Sequence, residues 1–146
     1  MTSKKIPFEW KLEQQEAFEA LKKAMTTAPV LRKPNYKKDW VLEVDASDIA
    51  LGAVLGQHQD DDNEVHPVYF WSRQLSHTEQ NYSITDRECL AIIAASSKFH
   101  PYILGGKIMI YGDHTAVKWL LNKLEITVCH ARWKVKLSEF NYEMFS

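Results

Sequence analysis

Three acidic residues in this chain are placed where carboxylates could do chemistry together. Asp45 ends one apolar run, Glu88 opens a hydrophobic helical stretch, and Asp113 ends a second apolar run. If the two runs are neighbouring parallel strands, Asp45 and Asp113 lie at the same edge of a sheet, where open α/β sheets bind ligands. Oxygen clusters of this kind suit hard cations such as Mg²⁺, and two such ions can promote phosphodiester hydrolysis. The trio therefore predicts a metal-dependent nuclease site.

Each of these acids also has a purely structural interpretation. Glu88 fits a capping box that begins at Thr85, in which its carboxylate only satisfies a backbone amide. Asp113 precedes a predicted helix and could be an ordinary N-cap. Asp45 could start a turn with Ser47, although a carboxylate at the end of an apolar strand is costly without a partner. On the sequence alone these alternatives stay open.

Hydrophobic patterns predict the elements that would position the trio. A helix is expected at 13–25, strands at 40–46, 51–57 and 65–72, a buried helix at 85–99, a strand at 107–111, helices at 115–121 and 131–140, and a strand at 141–146. The buried helix is expected to end before Pro101, because the residue preceding a proline avoids the helical conformation. This order predicts an α/β fold with a mixed five-stranded sheet, made of a three-strand antiparallel meander plus parallel strands and flanked by helices.

Length and composition are those of one globular domain. The chain has 146 residues, 45% of them hydrophobic and 25% charged, with a net charge of −1. No stretch approaches the roughly 20 apolar residues of a membrane span, so we expect a soluble intracellular protein with no membrane partner. Cys89 and Cys129 are expected to be free thiols, and Asp60–Asp62 a solvated hairpin loop. A polyanionic substrate would need local basic patches or bound cations.

Five segments of the chain carry a family resemblance. They are FEWKLEQQEAFEALKKAMTTAPVL, VLEVDASDIALGAVLGQ, HPVYFWSRQLSHTEQNYSITDRECLAI, KFHPYILGGKIMIYGDHTAVKWLL and ARWKVKLSEFNYEMF. In order and over almost the entire chain, they resemble the ribonuclease H region of gypsy-class long-terminal-repeat retrotransposon reverse transcriptases. The resemblance implies a linker helix from the polymerase or connection region at 1–34. It also implies a ribonuclease H-like domain, truncated at its C-terminus, at 35–146.

The resemblance implies roles for particular residues. The catalytic, metal-binding acids would be Asp45 in VDAS, Glu88 in RECLAI and Asp113 in YGDH. The implied reaction is hydrolysis of the RNA strand of an RNA/DNA hybrid with two Mg²⁺ ions, for which Mn²⁺ can substitute, leaving a 3′-hydroxyl and a 5′-phosphate. Hybrid recognition would rest on backbone shape and 2′-hydroxyls. The expected backbone contacts are Ser47, Ser72, Arg73 and Gln74. The polymerase domain of the same polyprotein is an expected partner, and the expected location is a cytoplasmic virus-like particle.

Two departures from the family and two alternative functions follow from the same comparison. Gly112 stands where many relatives have Thr. The family continues past NYEMF into a Pro-Gly turn and a helix with a fourth acid, whereas this sequence stops at Ser146.

One alternative is a catalytically silent ribonuclease H-like structural or connection domain, or a domesticated remnant. Another is a transposase or integrase core, whose acids come in the order Asp, Asp, Glu rather than Asp, Glu, Asp.

Overall fold

The structure, a computed structural model, describes residues 7–27, 30–59 and 63–145. Its elements are α1 (Leu12–Thr26), β1 (Trp40–Ala46), β2 (Ala50–Gln57), β3 (His66–Gln74), α2 (His77–Gln80), α3 (Ile84–Ile103), β4 (Lys107–Tyr111), α4 (His114–Asn122), α5 (Val128–Ser138) and β5 (Asn141–Phe145). The short helix α2 was not expected from the sequence. The loop predicted at Asp60–Asp62 lies outside the described residues.

The strands form one five-stranded sheet in the order β3-β2-β1-β4-β5. β1, β2 and β3 are antiparallel neighbours, whereas β4 runs parallel to both β1 and β5. The parallel pairing of β1 with β4 arises because α3 carries the chain back across the sheet, as a crossover connection must. The predicted mixed sheet, a meander plus parallel strands, is confirmed.

One face of the sheet is covered by α3, α4 and α5, and the hydrophobic core lies between. Trp40 and Leu42 of β1 and Ile92 of α3 have at most 1% of their surface exposed. Burying a large apolar side chain of this kind contributes about 1.5–3 kcal/mol. Because α3 is apolar on most of its circumference, it is buried deeply enough to hold its position over β1 rigidly. Cys89 and Cys129 are free thiols, as predicted.

The helix α3 continues through Pro101 to Ile103, so the predicted end before Pro101 is wrong. Pro101 has no N–H to donate to the carbonyl of residue 97, so the helix loses one backbone bond there. The Leu104 N–H closes the last turn by donating to the His100 carbonyl oxygen at 3.1 Å. Phe99 and Ile103 are both fully buried, and their packing outweighs the local preference of the residue before proline.

The predicted amphipathic helix is present as α1, but none of its residues is buried. Phe18, Leu21 and Met25 on its apolar stripe are 45%, 64% and 42% exposed. The boundary between a linker and a ribonuclease H-like domain near residue 34 stays a prediction. Among the described residues, no helix combines the length and the apolar character that crossing a membrane requires.

Candidate active site

The register of the parallel strands brings two of the acids together. β1 and β4 pair from Trp40 opposite Ile108 to Glu43 opposite Tyr111. Asp45 lies two residues after the last β1 residue that pairs with β4, and Asp113 lies two residues after the end of β4. Both acids therefore lie at the carboxyl edge of the sheet, Asp45 in β1 and Asp113 just after the neighbouring strand β4.

The third acid, Glu88, comes from the second turn of α3. The helix begins at Ile84, and its N-cap is Ser83, whose hydroxyl oxygen accepts the Asp86 N–H at 3.1 Å. The Ser83 hydroxyl in turn donates to the Asp86 carboxylate at 2.9 Å. Asp86 therefore fills the capping position, and the interpretation of Glu88 as a capping residue is wrong. A capping role therefore does not explain why a glutamate occupies position 88.

The negative charges of Asp45 and Asp113 act on the Glu88 carboxylate. The pKa of Glu88 is raised above its ordinary value, first by burial and then by the negative charges of Asp45 and Asp113, with Arg87 opposing. Like charges raise the cost of ionisation when they share a site. Glu88 is therefore more easily protonated than an ordinary glutamate.

Asp113 is an N-cap, as its structural interpretation predicted, but only one of its oxygens is used. Its Oδ1 accepts the Thr115 hydroxyl at 2.5 Å and the backbone N–H groups of Thr115 at 2.8 Å and Ala116 at 3.3 Å. These bonds, the hydroxyl first, hold the pKa of Asp113 below its usual range. Capping therefore keeps this carboxylate ionised and leaves Oδ2 able to bind a cation.

Asp45 is exposed and, within the described residues, its carboxylate makes no hydrogen bond. The adjoining turn is built by Ser47 instead, whose hydroxyl oxygen accepts the N–H groups of Ile49 at 3.3 Å and Ala50 at 3.0 Å. The turn-starting interpretation therefore applies to Ser47. Both oxygens of Asp45 are available to a ligand.

The donor set suits a hard divalent cation, which prefers carboxylate oxygens and would relieve the repulsion among them. Across ranges 7–27, 30–59 and 63–145, no three His, Cys, Asp or Glu side chains stand close enough to hold an ion as they are. Side-chain alternation directs Asp45 to the face opposite α3, whereas Glu88 approaches from the α3 side. The three negative charges also repel one another, which favours separation of the carboxylates. Binding would therefore require these side chains to rotate toward a common point.

Three of the predicted backbone contacts lie on or near the open face of the sheet. Gly52 pairs with Asp45 on one side and Ser72 on the other, so Ser72 faces the same way two strands from Asp45. Gln74 follows on that face, and Ser47 lies in the turn after β1. A groove of about 480 Å³ lined by Asp45, Gly52 and Ser72 runs along this surface. The roles of these residues in binding stay predictions.

Arg73 is placed differently from the other predicted contacts. It points to the opposite face, where its guanidinium forms a two-pronged pair with Glu79 of α2, at 2.8 and 2.9 Å. Glu79 also accepts the Ser76 N–H at 2.8 Å. Hydrogen bonding by Arg73 is the main reason that the pKa of Glu79 is lowered. Arg73 thus ties β3 to α2, and its contact with a nucleic acid stays a prediction.

Val44 occupies the space that a side chain at position 112 would need. A Cβ atom at position 112 would be 2.8 Å from Cγ2 of Val44. A valine side chain is stiff about its first torsion, so it yields poorly. Val44 of the neighbouring strand β1 therefore leaves room at position 112 for Gly, where many relatives have Thr.

We expect Gly112→Ala to destabilise the chain by about 1–3 kcal/mol, the usual cost of overpacking. Val44→Ala should recover part of that loss, giving a coupling above about 0.5 kcal/mol in a double-mutant cycle measured by urea unfolding. Gly52→Ala is the matched control, because its Cβ would meet nothing within 4 Å. Equal stability of Gly112→Ala and the parent would contradict the proposed close packing.

A mixed sheet in this strand order, with three acids at the carboxyl edge of β1 and β4, defines a ribonuclease H-like domain. The family model described as "RNase H-like domain found in reverse transcriptase" matches residues 10–110, and the chain belongs to this family. The matched range includes Asp45 and Glu88 and ends shortly before Asp113.

Similar proteins agree with this assignment. The chain is 42% identical over 134 residues to the "Retrovirus-related Pol polyprotein from transposon 297" of Drosophila melanogaster, which covers 92% of the chain but 12% of that polyprotein. The native crystal structure of "Prototype Foamy Virus Protease-Reverse Transcriptase" has a TM-score of 0.75 at 17% identity, covering 98% of this chain and 19% of that one. The foamy viral protease-reverse transcriptase "in complex with RNA/DNA hybrid" has a TM-score of 0.65 at 15% identity, covering 94% and 19%. These structures share the fold.

Proposed function

We propose that this chain hydrolyses the RNA strand of RNA/DNA hybrids endonucleolytically with Mg²⁺, as part of a reverse transcriptase polyprotein. The observation that carries the proposal is that Asp45, Asp113 and Glu88 lie near the same edge of the sheet, close enough for the charges of Asp45 and Asp113 to raise the pKa of Glu88. These residues would hold two ions. Mg²⁺ supplies a more acidic water and charge stabilisation for the leaving oxygen of a phosphodiester. Mn²⁺ should substitute, since it favours the same oxygen ligands.

The three acids would divide the work according to their surroundings. Asp45, whose carboxylate makes no hydrogen bond within the described residues, would offer both of its oxygens to the cations. Asp113 is kept ionised by its capping bonds and offers its Oδ2. Glu88, with its raised pKa, would bind a cation only after losing any proton it carries. The site should therefore work better at neutral and alkaline pH than in acid.

A polyanionic substrate must be attracted in spite of these acids and a net charge of −1. Residues 114–138 supply cations, since they contain five Lys and Arg residues against the single acid Glu125. Lys118 lies on the exposed side of α4, which starts at the site, and Lys123 Nζ lies 4.2 Å above the Trp119 ring. Ser72 and Gln74 can hydrogen-bond sugar and phosphate oxygens, which suits recognition of a hybrid by shape and 2′-hydroxyls.

The polymerase domain of the same polyprotein is the proposed neighbour. The apolar stripe of α1 is exposed, and a second domain that packed on it would cover Phe18 and Leu21. The cytoplasmic virus-like particle is the proposed location.

The direct test is to incubate the full chain with an RNA/DNA hybrid carrying separate labels on its two strands. We expect cleavage of the RNA strand in Mg²⁺ or Mn²⁺, with 3′-hydroxyl and 5′-phosphate ends, and no cleavage in EDTA. The DNA strand and single-stranded RNA should remain intact. A folded preparation that binds the hybrid but does not cut it in either metal would favour the silent structural domain instead.

A further inference from the structure

His130 of α5 is a buried polar residue with both ring nitrogens engaged. The residue is 6% exposed. Its Nδ1 lies 3.1 Å from the Thr127 hydroxyl and 3.5 Å from the Thr127 backbone N–H, which can only donate. Its Nε2 lies 2.8 Å from Oδ1 of Asp86. Because Nδ1 accepts, Nε2 carries the proton and donates it to the Asp86 carboxylate.

Through Asp86, His130 is connected to the start of α3. The second oxygen of Asp86 accepts the Ser83 hydroxyl at 2.9 Å, and the Ser83 oxygen caps the helix by accepting the Asp86 N–H. Glu88 follows Asp86 by two residues in the same helix. The contact therefore fixes the first turn of α3, and Glu88 lies at the start of the turn that follows.

His130 also contacts α4, the helix that Asp113 caps. The rings of His130 and Trp119 meet edge to face, with centroids 5.6 Å apart and planes at 88°. On the other side, Trp133 of α5 packs against the same imidazole at 5.4 Å and 72°. The imidazole is thus held in one orientation between aromatic rings, while its nitrogens reach α3 and the start of α5.

We infer that His130 is a positioning residue that sets Glu88 relative to Asp113. Its imidazole contacts both Asp86 in the first turn of α3 and Trp119 of α4. This inference rests on the proposed function, in which both acids hold the same ions. A positioning role predicts that loss of the His130–Asp86 bond weakens Mg²⁺ binding even where the chain remains folded. A role in packing alone predicts lower stability with unchanged Mg²⁺ affinity.

The test is calorimetric titration of the full chain with MgCl2, together with amide hydrogen exchange. We expect His130→Ala and Asp86→Ala to weaken Mg²⁺ binding about tenfold, the lower end for residues that orient metal ligands. Exchange should accelerate at the Thr115 and Ala116 N–H groups that Asp113 caps. His130→Gln, whose amide can still donate toward Asp86, should retain most of the affinity.

Leu137→Ala is the matched control, since Leu137 is a buried residue further along α5, with 2% of its surface exposed. It should lower the melting temperature and leave Mg²⁺ affinity unchanged. If His130→Ala does not fold, Asp86→Ala provides the same measurement. Parent-like Mg²⁺ affinity and parent-like exchange in both variants would overturn the inference. A parent that binds no Mg²⁺ would count against the proposed function, while the exchange of Thr115 and Ala116 would still decide on the positioning role.

Discussion

Replacing Asp45 with Asn is expected to lower the rate of RNA cleavage about a thousandfold. Held cations supply several kcal/mol of charge stabilisation, and each 1.36 kcal/mol is a factor of ten in rate. Asp45 lies at the same edge of the sheet as Asp113, and its charge raises the pKa of Glu88. The substitution keeps the shape of the side chain and breaks no internal hydrogen bond. The melting temperature in EDTA should therefore not fall.

Glu43→Gln is the matched control for this variant. Glu43 precedes Asp45 by two residues in β1, is likewise exposed, and faces the same side of the sheet. It should cleave the hybrid at nearly the parental rate, as measured by the initial rate of release of labelled RNA fragments. Equal rates for Asp45→Asn and Glu43→Gln would contradict the assignment of Asp45 to the site.

Replacing Glu88 with Gln should abolish cleavage and yet stabilise the metal-free chain. The pKa of Glu88 is raised above its ordinary value of 4.5. The contribution of this group to the free energy of unfolding is therefore complete below pH 4.5 and is lost as the pH rises through the raised pKa. At neutral pH the parent carries this penalty and the glutamine variant does not. In EDTA, the variant should melt at the higher temperature.

Mg²⁺ should reverse that order of stability. A ligand at 100 times its Kd stabilises the folded state by about 2.7 kcal/mol, and only the parent should gain this. Thermal unfolding in EDTA and in MgCl2, at pH values from 5 to 8, measures both effects. The account of Glu88 is wrong if the variant melts below the parent in EDTA at neutral pH. Equal stabilisation of both proteins by Mg²⁺ would be equally damaging.

The sequence predicted the placement of Asp45 and Asp113 because that placement depends on topology. An apolar run, a long helix and a second apolar run lead to a parallel pair of strands, and two residues at the ends of such strands must meet. The prediction needed no side-chain detail. The structure confirms that β1 and β4 are parallel neighbours, and the shared site stays a prediction.

The start of α3 was predicted less well, because two overlapping patterns compete there. Thr85 to Glu88 fits a capping box, but Ser83 to Asp86 has the same spacing with two residues that cap equally well. Burial of the following apolar face selects the earlier start. The same packing carries the helix through Pro101, against the local preference of the chain.

His130 could not have been recognised as a neighbour of the site from the sequence. Its partner Asp86 is 44 residues away, and the spacing follows no pattern of a helix or strand. The pairing of Arg73 with Glu79 was missed for a different reason. Arg73 lies between Ser72 and Gln74 in β3. Side chains alternate between the two faces of a strand, so Arg73 points away from the face of its two neighbours and toward Glu79.

The most direct test of the central claim is calorimetric titration of Mg²⁺ into the parent and into Asp45→Asn, Glu88→Gln and Asp113→Asn. If the three acids form one metal site, the parent binds Mg²⁺ and each variant binds far more weakly. Asp113→Asn should remain folded, since asparagine is also a good N-cap. Mg²⁺ binding of parental affinity in all three variants would show that these carboxylates do not form a metal site.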